Sequence, residues 1–579
     1  MLFPDFRLKA LPLVTERETR YMCIMNEVMI EPDWWIKSSN PEEVKRWKME
    51  IKVALLALDS DPPEWYNESA HAAAERLDGS GLNDADRDLD RGDDQLIPHV
   101  PYSQFVKQSI KFMFEELEFI AANCIRETPS GAVISPTSIH GVFISDSIIP
   151  QKLLSKFNAQ AASVETDSLA KEKWNKNSNN TVLDLVHPSD YCAVYGVSKL
   201  RKNAAQICGI EPVIYSGPTA KDASARFQWL PSEFRIDGAG KVHIQSYINN
   251  LNRRVHNELY DTIAAVFEAM VPMFEMTVGS FTTEPTPRIH APPNISRYQQ
   301  DFCEWCKERT PKMGIFDTNS AEFLNFMNAL WGQPQPINIP GLPESFDSSS
   351  AANLASHMSK LETERTYQVY VQMATIHLTP ENPVYNGGNW HLEGKVNEAI
   401  GATGIVYYDM SNFQSFYDDG CLFDFEQRDF SGLERVFGVS PETLVHTQIR
   451  GQIDARNHRA VVFPDFLHHK VKDFELDDKK KPGFCRILVF FLVHPLFCTY
   501  STRTVAMQQR DWVAQDLFDL VFKGILPYEI VESVVGYLGS TFSAVEAAVY
   551  AHELSEERSN PSPTDLEDEL LSVSTHSRA

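Results

Sequence analysis

Apolar residues recur at spacings of three and four along several stretches of the first half of the chain, and that spacing predicts amphipathic helices. One follows P-D-W-W-I-K and opens at Pro41, where proline suits the first helical position (P-E-E-V-K-R-W-K-M-E-I-K-V-A-L-L-A-L). Gln104–Ile125 gives a second and Asn257–Thr277 a third. From Asn180 the pattern changes: N-T-V-L-D-L-V-H-P, R-F-Q-W-L-P and K-V-H-I-Q-S-Y-I-N-N-L are short apolar or alternating runs closed by Pro, Asn or Gly, which predicts strands. The strongest strand signal lies between Thr366 and Thr499, ending in R-I-L-V-F-F-L-V. Several short strands with turns between them suit a closed barrel or jelly roll better than a parallel sheet. Helical spacing returns after Arg510 and runs to about Glu557.

The expected organisation is an N-terminal helical region over 1–179 and a β-rich core with insertions over 180–505. C-terminal helices pack on it over 506–557, before a disordered tail over 558–579. Asp78 to Asp94 holds seven Asp and two Arg and reads as a solvated loop. The proline-rich stretches Pro285–Pro293 and Gln333–Pro343 read as surface connections.

Composition narrows the function class. With 79 acidic against 53 basic residues the net charge is −26, a field that repels nucleic acid and anionic membranes. No apolar run approaches the roughly 18 to 20 residues of a membrane span, and M-L-F-P-D-F-R-L-K lacks a signal-peptide layout, so a cytoplasmic protein acting on a small molecule is expected. Of nine cysteines only Cys303 and Cys306 lie close together, and a lone C-x-x-C reads as two ordinary thiols.

The candidate chemistry lies in G-G-N-W-H-L-E-G, residues 387–394. Chance alone predicts roughly two His-x-Asp/Glu pairs in a chain of this composition, so context has to separate the pairs at His256 and His391. His256 opens a helical pattern, where residues two apart diverge. His391 follows a Gly-Gly turn, and on an extended backbone it shares a face with Glu393. A 2-His-1-carboxylate metal site needs one more histidine, and F-P-D-F-L-H-H-K-V-K offers His468 and His469. His468 shares its face with Lys470 and Lys472, so His469 is the inward ligand. Arg486, seventeen residues further on and opening the last strand, can pair bidentately with the distal carboxylate of a 2-oxoglutarate cosubstrate. His187 and His377 read as structural; Trp390, Tyr407 and Tyr408 read as aromatic residues near the site.

These blocks resemble the large fungal family catalogued as domain of unknown function 4246. The resemblance runs through M-N-E-V-M-I-E-P-D-W-W-I-K, V-L-D-L-V-H-P-S-D-Y, F-Q-W-L-P-S-E-F and H-L-T-P-E-N-P-V-Y-N-G-G-N-W-H-L-E-G-K-V-N-E, and continues to Q-Q-R-D-W near Arg510. It implies a double-stranded β-helix (jelly-roll) core, an α+β fold with flanking N- and C-terminal helices, and an oxygenase using Fe(II) and 2-oxoglutarate. His391, Glu393 and His469 would hold the metal and Arg486 the cosubstrate. Two departures bear on this. Where the family reads P-G-H-R-K-I-L this chain has P-G-F-C-R-I-L, so Cys485 takes the arginine position, and N-E-H-I becomes N-E-A-I at Asn397–Ile400. Either a bulge turns Arg486 inward, or the anchor is weakened; an iron enzyme of the same fold without 2-oxoglutarate and a non-catalytic jelly-roll binding protein are the alternatives.

Overall fold

The computed structural model describes residues 12, 14–57, 100–175, 178–201, 223–282, 286–291, 339–348, 360–412, 415–422, 436–438 and 447–559. The acidic stretch 78–94, the Cys303–Cys306 pair and the tail from 560 lie outside them. Helix α1 (Glu16–Met29) starts where the Thr15 hydroxyl accepts the Glu18 amide at 3.2 Å. It packs with α2 (Trp34–Lys37), α3 (Pro41–Ala57) and α4 (Tyr102–Asn123) around Tyr21, Trp34, Trp47 and Phe105. In the described parts of the two proline-rich stretches, Ile289 and Leu342 are buried in this helical cluster while Thr286, His290 and Pro343 are exposed. Such segments lack ladder partners, and Glu18 compensates by accepting the amides of Arg288 and Ile289 at 2.7 and 2.9 Å.

Strands β1 (Arg126–Glu127), β2 (Val133–Pro136) and β3 (Phe143–Ser145) precede α5 (Gln151–Ala170). After it come β4 (Val182–Val186), β5 (Ala193–Val194), β6 (Phe227–Gln228), β7 (Ser232–Ile236), β8 (Val242–Ile244) and α6 (Asn257–Gly279). The strand-rich part then supplies β9 (Arg365–Leu378), β10 (Val384–Tyr385), β11 (Ile400–Ser411), β12 (Ser415–Leu422) and β13 (Thr447–Ala455). It closes with β14 (Ala460–Pro464), β15 (His468–Val471), β16 (Phe474–Glu475) and β17 (Gly483–Val493), before α7 (Arg510–Leu517), α8 (Tyr528–Tyr537) and α9 (Ala544–Ser559).

The fold is α+β, built on a large antiparallel sheet in the order β1-β2-β3-β14-β11-β17-β9-β7-β8, with β4 on the other half of β9. A second sheet, β13-β12-β15, is extended past β15 by a single bridge to His391. The large sheet therefore takes three short strands from before residue 180, where the sequence suggests helices alone.

Strand β17 explains how the layers stack. Leu488, Phe490 and Leu492 point to one side, into a cluster with Phe157 of α5 and Phe267, Met270 and Phe274 of α6. Cys485, Val489 and Phe491 point to the other, into a cluster with Trp229, Phe463 and Leu467. Burial on both faces is why this strand reads as an almost unbroken apolar run. Helix α6 is, among the described residues, the one helix long and apolar enough to cross a membrane, which corrects the expectation that no run approaches that length. Two-thirds of its most apolar window, 67%, is buried inside the fold, as in a core helix.

Candidate metal centre

The turn before His391 depends on glycine. Gly387 has φ +77°, and a Cβ there would lie 3.0 Å from the Asp473 amide nitrogen and 3.1 Å from the Val471 carbonyl oxygen. Only glycine lets the segment lie this close against the end of β15 in this conformation. Gly388 then donates to the Val471 carbonyl at 2.8 Å, and His391 and His469 exchange amide–carbonyl bonds of 3.1 Å each. The extended stretch expected over His391–Glu393 is thus one bridge residue rather than a strand. That bridge brings the two imidazoles together, with ring centroids 4.5 Å apart.

Local hydrogen bonds orient each ring. His391 Nδ1 lies 2.8 Å from the Asn389 carbonyl oxygen and His469 Nδ1 lies 3.3 Å from that of Leu467. A carbonyl can only accept, so Nδ1 carries a proton in each ring, and Nε2 is the nitrogen that the neutral ring offers to a metal. Both Nε2 atoms face Glu393 Oε1, at 3.6 Å from His391 and 3.3 Å from His469, and the three ligand atoms all lie within 4.8 Å of one another. Donors about 2.1 Å from one ion and at right angles to each other stand about 3.0 Å apart, so the two imidazole–carboxylate spacings are a few tenths of an ångström wider than those of a metal's ligands. Among the described residues no other three His, Cys, Asp or Glu side chains converge in this way.

Charge follows from the same contacts. Burial would raise the Glu393 carboxyl, but its contacts with the His391 and His469 imidazoles outweigh it and hold the group well below the usual carboxylate range. Burial pulls His391 down, but its hydrogen bond and charge attraction to Glu393 win and raise it. Burial, followed by the nearby His391 charge, pulls His469 down and keeps it a neutral donor. The His469 side chain is 4% exposed and Glu393 18%, whereas His391 is 46% exposed, so the cluster is closed on one side and open on the other. Phe463 closes the inner side, its ring 4.8 Å from that of His469.

One contributor escapes the sequence reading. Buried Asp465 accepts the Glu393 amide at 3.2 Å, and its own amide donates to the Gly401 carbonyl at 3.0 Å, tying the ligand segment to β11. An acidic residue inside V-V-F-P-D-F-L, four before His469, is the signal that marks it.

Arg486, expected at the cosubstrate, is engaged by two carboxylates of this chain. Its Nε donates to Glu165 Oε2 at 3.0 Å, its Nη1 to Asp409 Oδ2 at 2.6 Å, and the guanidinium lies 4.1 Å from the Phe484 ring. The β17–β9 register runs unbroken from Gly483–Leu378 to Leu492–Val369, so no bulge in that pairing turns Arg486 over. Cys485 lies on the same side of β17 as Val489 and Phe491, and Arg486 lies on the helix-covered side with Leu488. Tyr408 is on that helix side too, its ring 4.7 Å from Phe157, whereas Tyr407 faces the other cluster. His377 belongs to the Arg486 network through Glu165 at 3.1 Å, and His256 stands at the start of α6.

Residues 107–516 match the profile of a family described as "Protein of unknown function (DUF4246)". No curated protein matches the chain. Among solved structures, a selenomethionine-labelled Fe(II)/α-ketoglutarate-dependent dioxygenase, TqaL, is 12% identical over 61% of this chain and 94% of its own, with a TM-score of 0.21. IDO from Bacillus thuringiensis is 13% identical over 24% of this chain and 52% of its own (TM-score 0.16). A Lactobacillus farciminis oxalate decarboxylase in a formate complex is 10% identical over 36% and 57% (TM-score 0.11).

Proposed function

We propose, for a chain that belongs to the DUF4246 family of proteins of unknown function, that it is a mononuclear non-haem Fe(II) oxygenase acting on a small organic molecule. The observation that carries this reading is the convergence of His391 Nε2, His469 Nε2 and Glu393 Oε1, with one side of the cluster open. Two imidazoles and a carboxylate with open positions are the donor set of non-haem iron oxygenases. Fe(II) bound there supplies dioxygen activation and oxidation of a substrate C–H bond. The chain's own residues hold the donors: Asn389 and Leu467 carbonyls set the imidazole tautomers, Asp465 fixes the Glu393 backbone, and Phe463 keeps water from the inner side.

Strand order supports a double-stranded β-helix as the scaffold. Neighbours β9-β17-β11-β14 form one sheet, and the His391 segment, β15, β12 and β13 follow one another in the second. Apart from β10 and β16, which pair with each other, successive strands from β9 onward thereby alternate between the two sheets or turn back at β12–β13, as a jelly roll requires. The acidic net charge of −26 favours a small molecule over nucleic acid.

The first reading of the cosubstrate is 2-oxoglutarate, its keto-acid end at the metal and its distal carboxylate held by a group other than Arg486. The position of Arg486 favours a second reading, an iron enzyme of this fold that does not use 2-oxoglutarate. The test supplies Fe(II) anaerobically, then oxygen and 2-oxoglutarate, and measures succinate in the wild type and in His391→Ala. Succinate from the wild type alone supports the first reading. Fe(II) binding with no succinate supports the second. No Fe(II) binding sinks both and leaves a jelly-roll binding protein.

A further inference from the structure

Five residues beyond the proposed ligand Glu393 stands a second carboxylate, Glu398, with 1% side-chain exposure. One oxygen accepts the Lys395 amide at 2.6 Å and the other the Trp229 amide at 2.7 Å. A Cβ on Gly394 would meet Glu398 Oε2 at 2.5 Å, so this carboxylate lies directly against the turn that leaves Glu393. Its charged partner comes from the far end of the chain: Arg558 Nη2, near the end of α9, lies 2.6 and 2.8 Å from the two oxygens. The guanidinium lies 3.9 Å from the Trp229 ring centroid, so the same side chain also stacks on an aromatic whose backbone Glu398 holds.

A buried carboxylate is stable only while paired and hydrogen-bonded, and removing its partner leaves an uncompensated charge that its surroundings must rearrange to accommodate. Here the surroundings are Gly394 and Lys395. Helix α9 docks on the same cluster by independent means, through Ala547 and Leu554 and through an Arg226–Glu553 ion pair of 2.8 Å. The helix can therefore stay docked when the Arg558 contact is cut.

We propose that Arg558 is a positioning residue for the metal centre: through Glu398 it fixes the turn that carries Glu393, making the C-terminal helix part of the site's support. The proposal rests on the reading of His391, Glu393 and His469 as a metal centre. Groups that orient metal ligands change metal affinity roughly 10- to 100-fold when removed.

The test compares the wild type, Arg558→Ala, Arg558→Lys and Arg226→Ala by anaerobic Fe(II) calorimetry and by amide exchange over 394–399. Arg558→Ala is expected to weaken Fe(II) binding roughly 10- to 100-fold and to quicken exchange there, with Arg558→Lys between it and the wild type. Arg226→Ala, which cuts a different ion pair of the same helix, is expected to change neither. Wild-type affinity and exchange in Arg558→Ala would overturn the proposal. So would an equal loss in Arg226→Ala, since that marks a general effect of helix docking. Should Arg558→Ala fail to fold, Arg558→Lys carries the test, and wild-type affinity and exchange in it would overturn the proposal. Failure of the metal reading would look different: the wild type would bind no Fe(II) while Arg558→Ala still quickened exchange.

Discussion

His391 and His469 have the same chemistry and opposite tendencies. Attraction to Glu393 raises the pKa of His391 against its burial, and burial lowers that of the more enclosed His469. A metal needs both imidazoles neutral, so a proton on His391 competes with it. Because the His391 value is raised above 6.5, that competition begins above the pH at which a free imidazole titrates and strengthens as pH falls. Glu393, held ionised well below the usual carboxylate range, adds no competing proton near neutrality. Fe(II) affinity is therefore expected to drop about tenfold for each pH unit below the His391 value, with close to one proton released per ion bound. Calorimetry in buffers of different ionisation enthalpy, from pH 6 to 8, checks this. An affinity flat across that range would exclude His391 as a ligand that must lose a proton.

At the scale of elements, strands β15 and β17 show where sequence reasoning succeeds and where it stops. In β15, His468 shares a parity with Lys470 and Lys472, one face is polar, and alternation alone selects His469; the structure buries His469 at 3% exposure. In β17 both faces are apolar, so alternation separates Cys485 from Arg486 without saying which of them faces the site. Only the pairing with β9 and β11 decides it. Arg486 then links α5, through Glu165, to β11, through Asp409. Arg486→Ala is accordingly expected to cost about 1–3 kcal/mol of stability, by leaving two partly buried carboxylates short of a partner, with Fe(II) affinity unchanged. Urea unfolding and calorimetry on the same variant check it. Unchanged stability together with a weakened 2-oxoglutarate response would return Arg486 to the cosubstrate site.

The whole molecule converges on the small cluster from distant parts of the chain. One ligand segment follows a glycine turn at 387–388, the other lies on β15, Asp465 joins them to β11, and Arg558 reaches in from the C-terminal helix. The helical periods of the first half and the strand-rich stretch from 366 to 499 are legible because each runs long enough to show its period. Strands β1–β3, two to four residues each, are too short for that, and they join the sheet through β3–β14 pairing 317 residues apart at Ile144 and Val461. Contacts such as Arg558–Glu398 leave no local trace, since neither residue's neighbours in sequence select the other. The proposed iron centre consists of the three converging donors, and anaerobic titration with Fe(II) tests them most directly in the wild type, His469→Ala and His256→Ala. One Fe(II) per chain is expected, with binding abolished in His469→Ala and retained in His256→Ala. A wild type that binds no Fe(II), or a His469→Ala chain that binds it as tightly, would contradict the proposed centre.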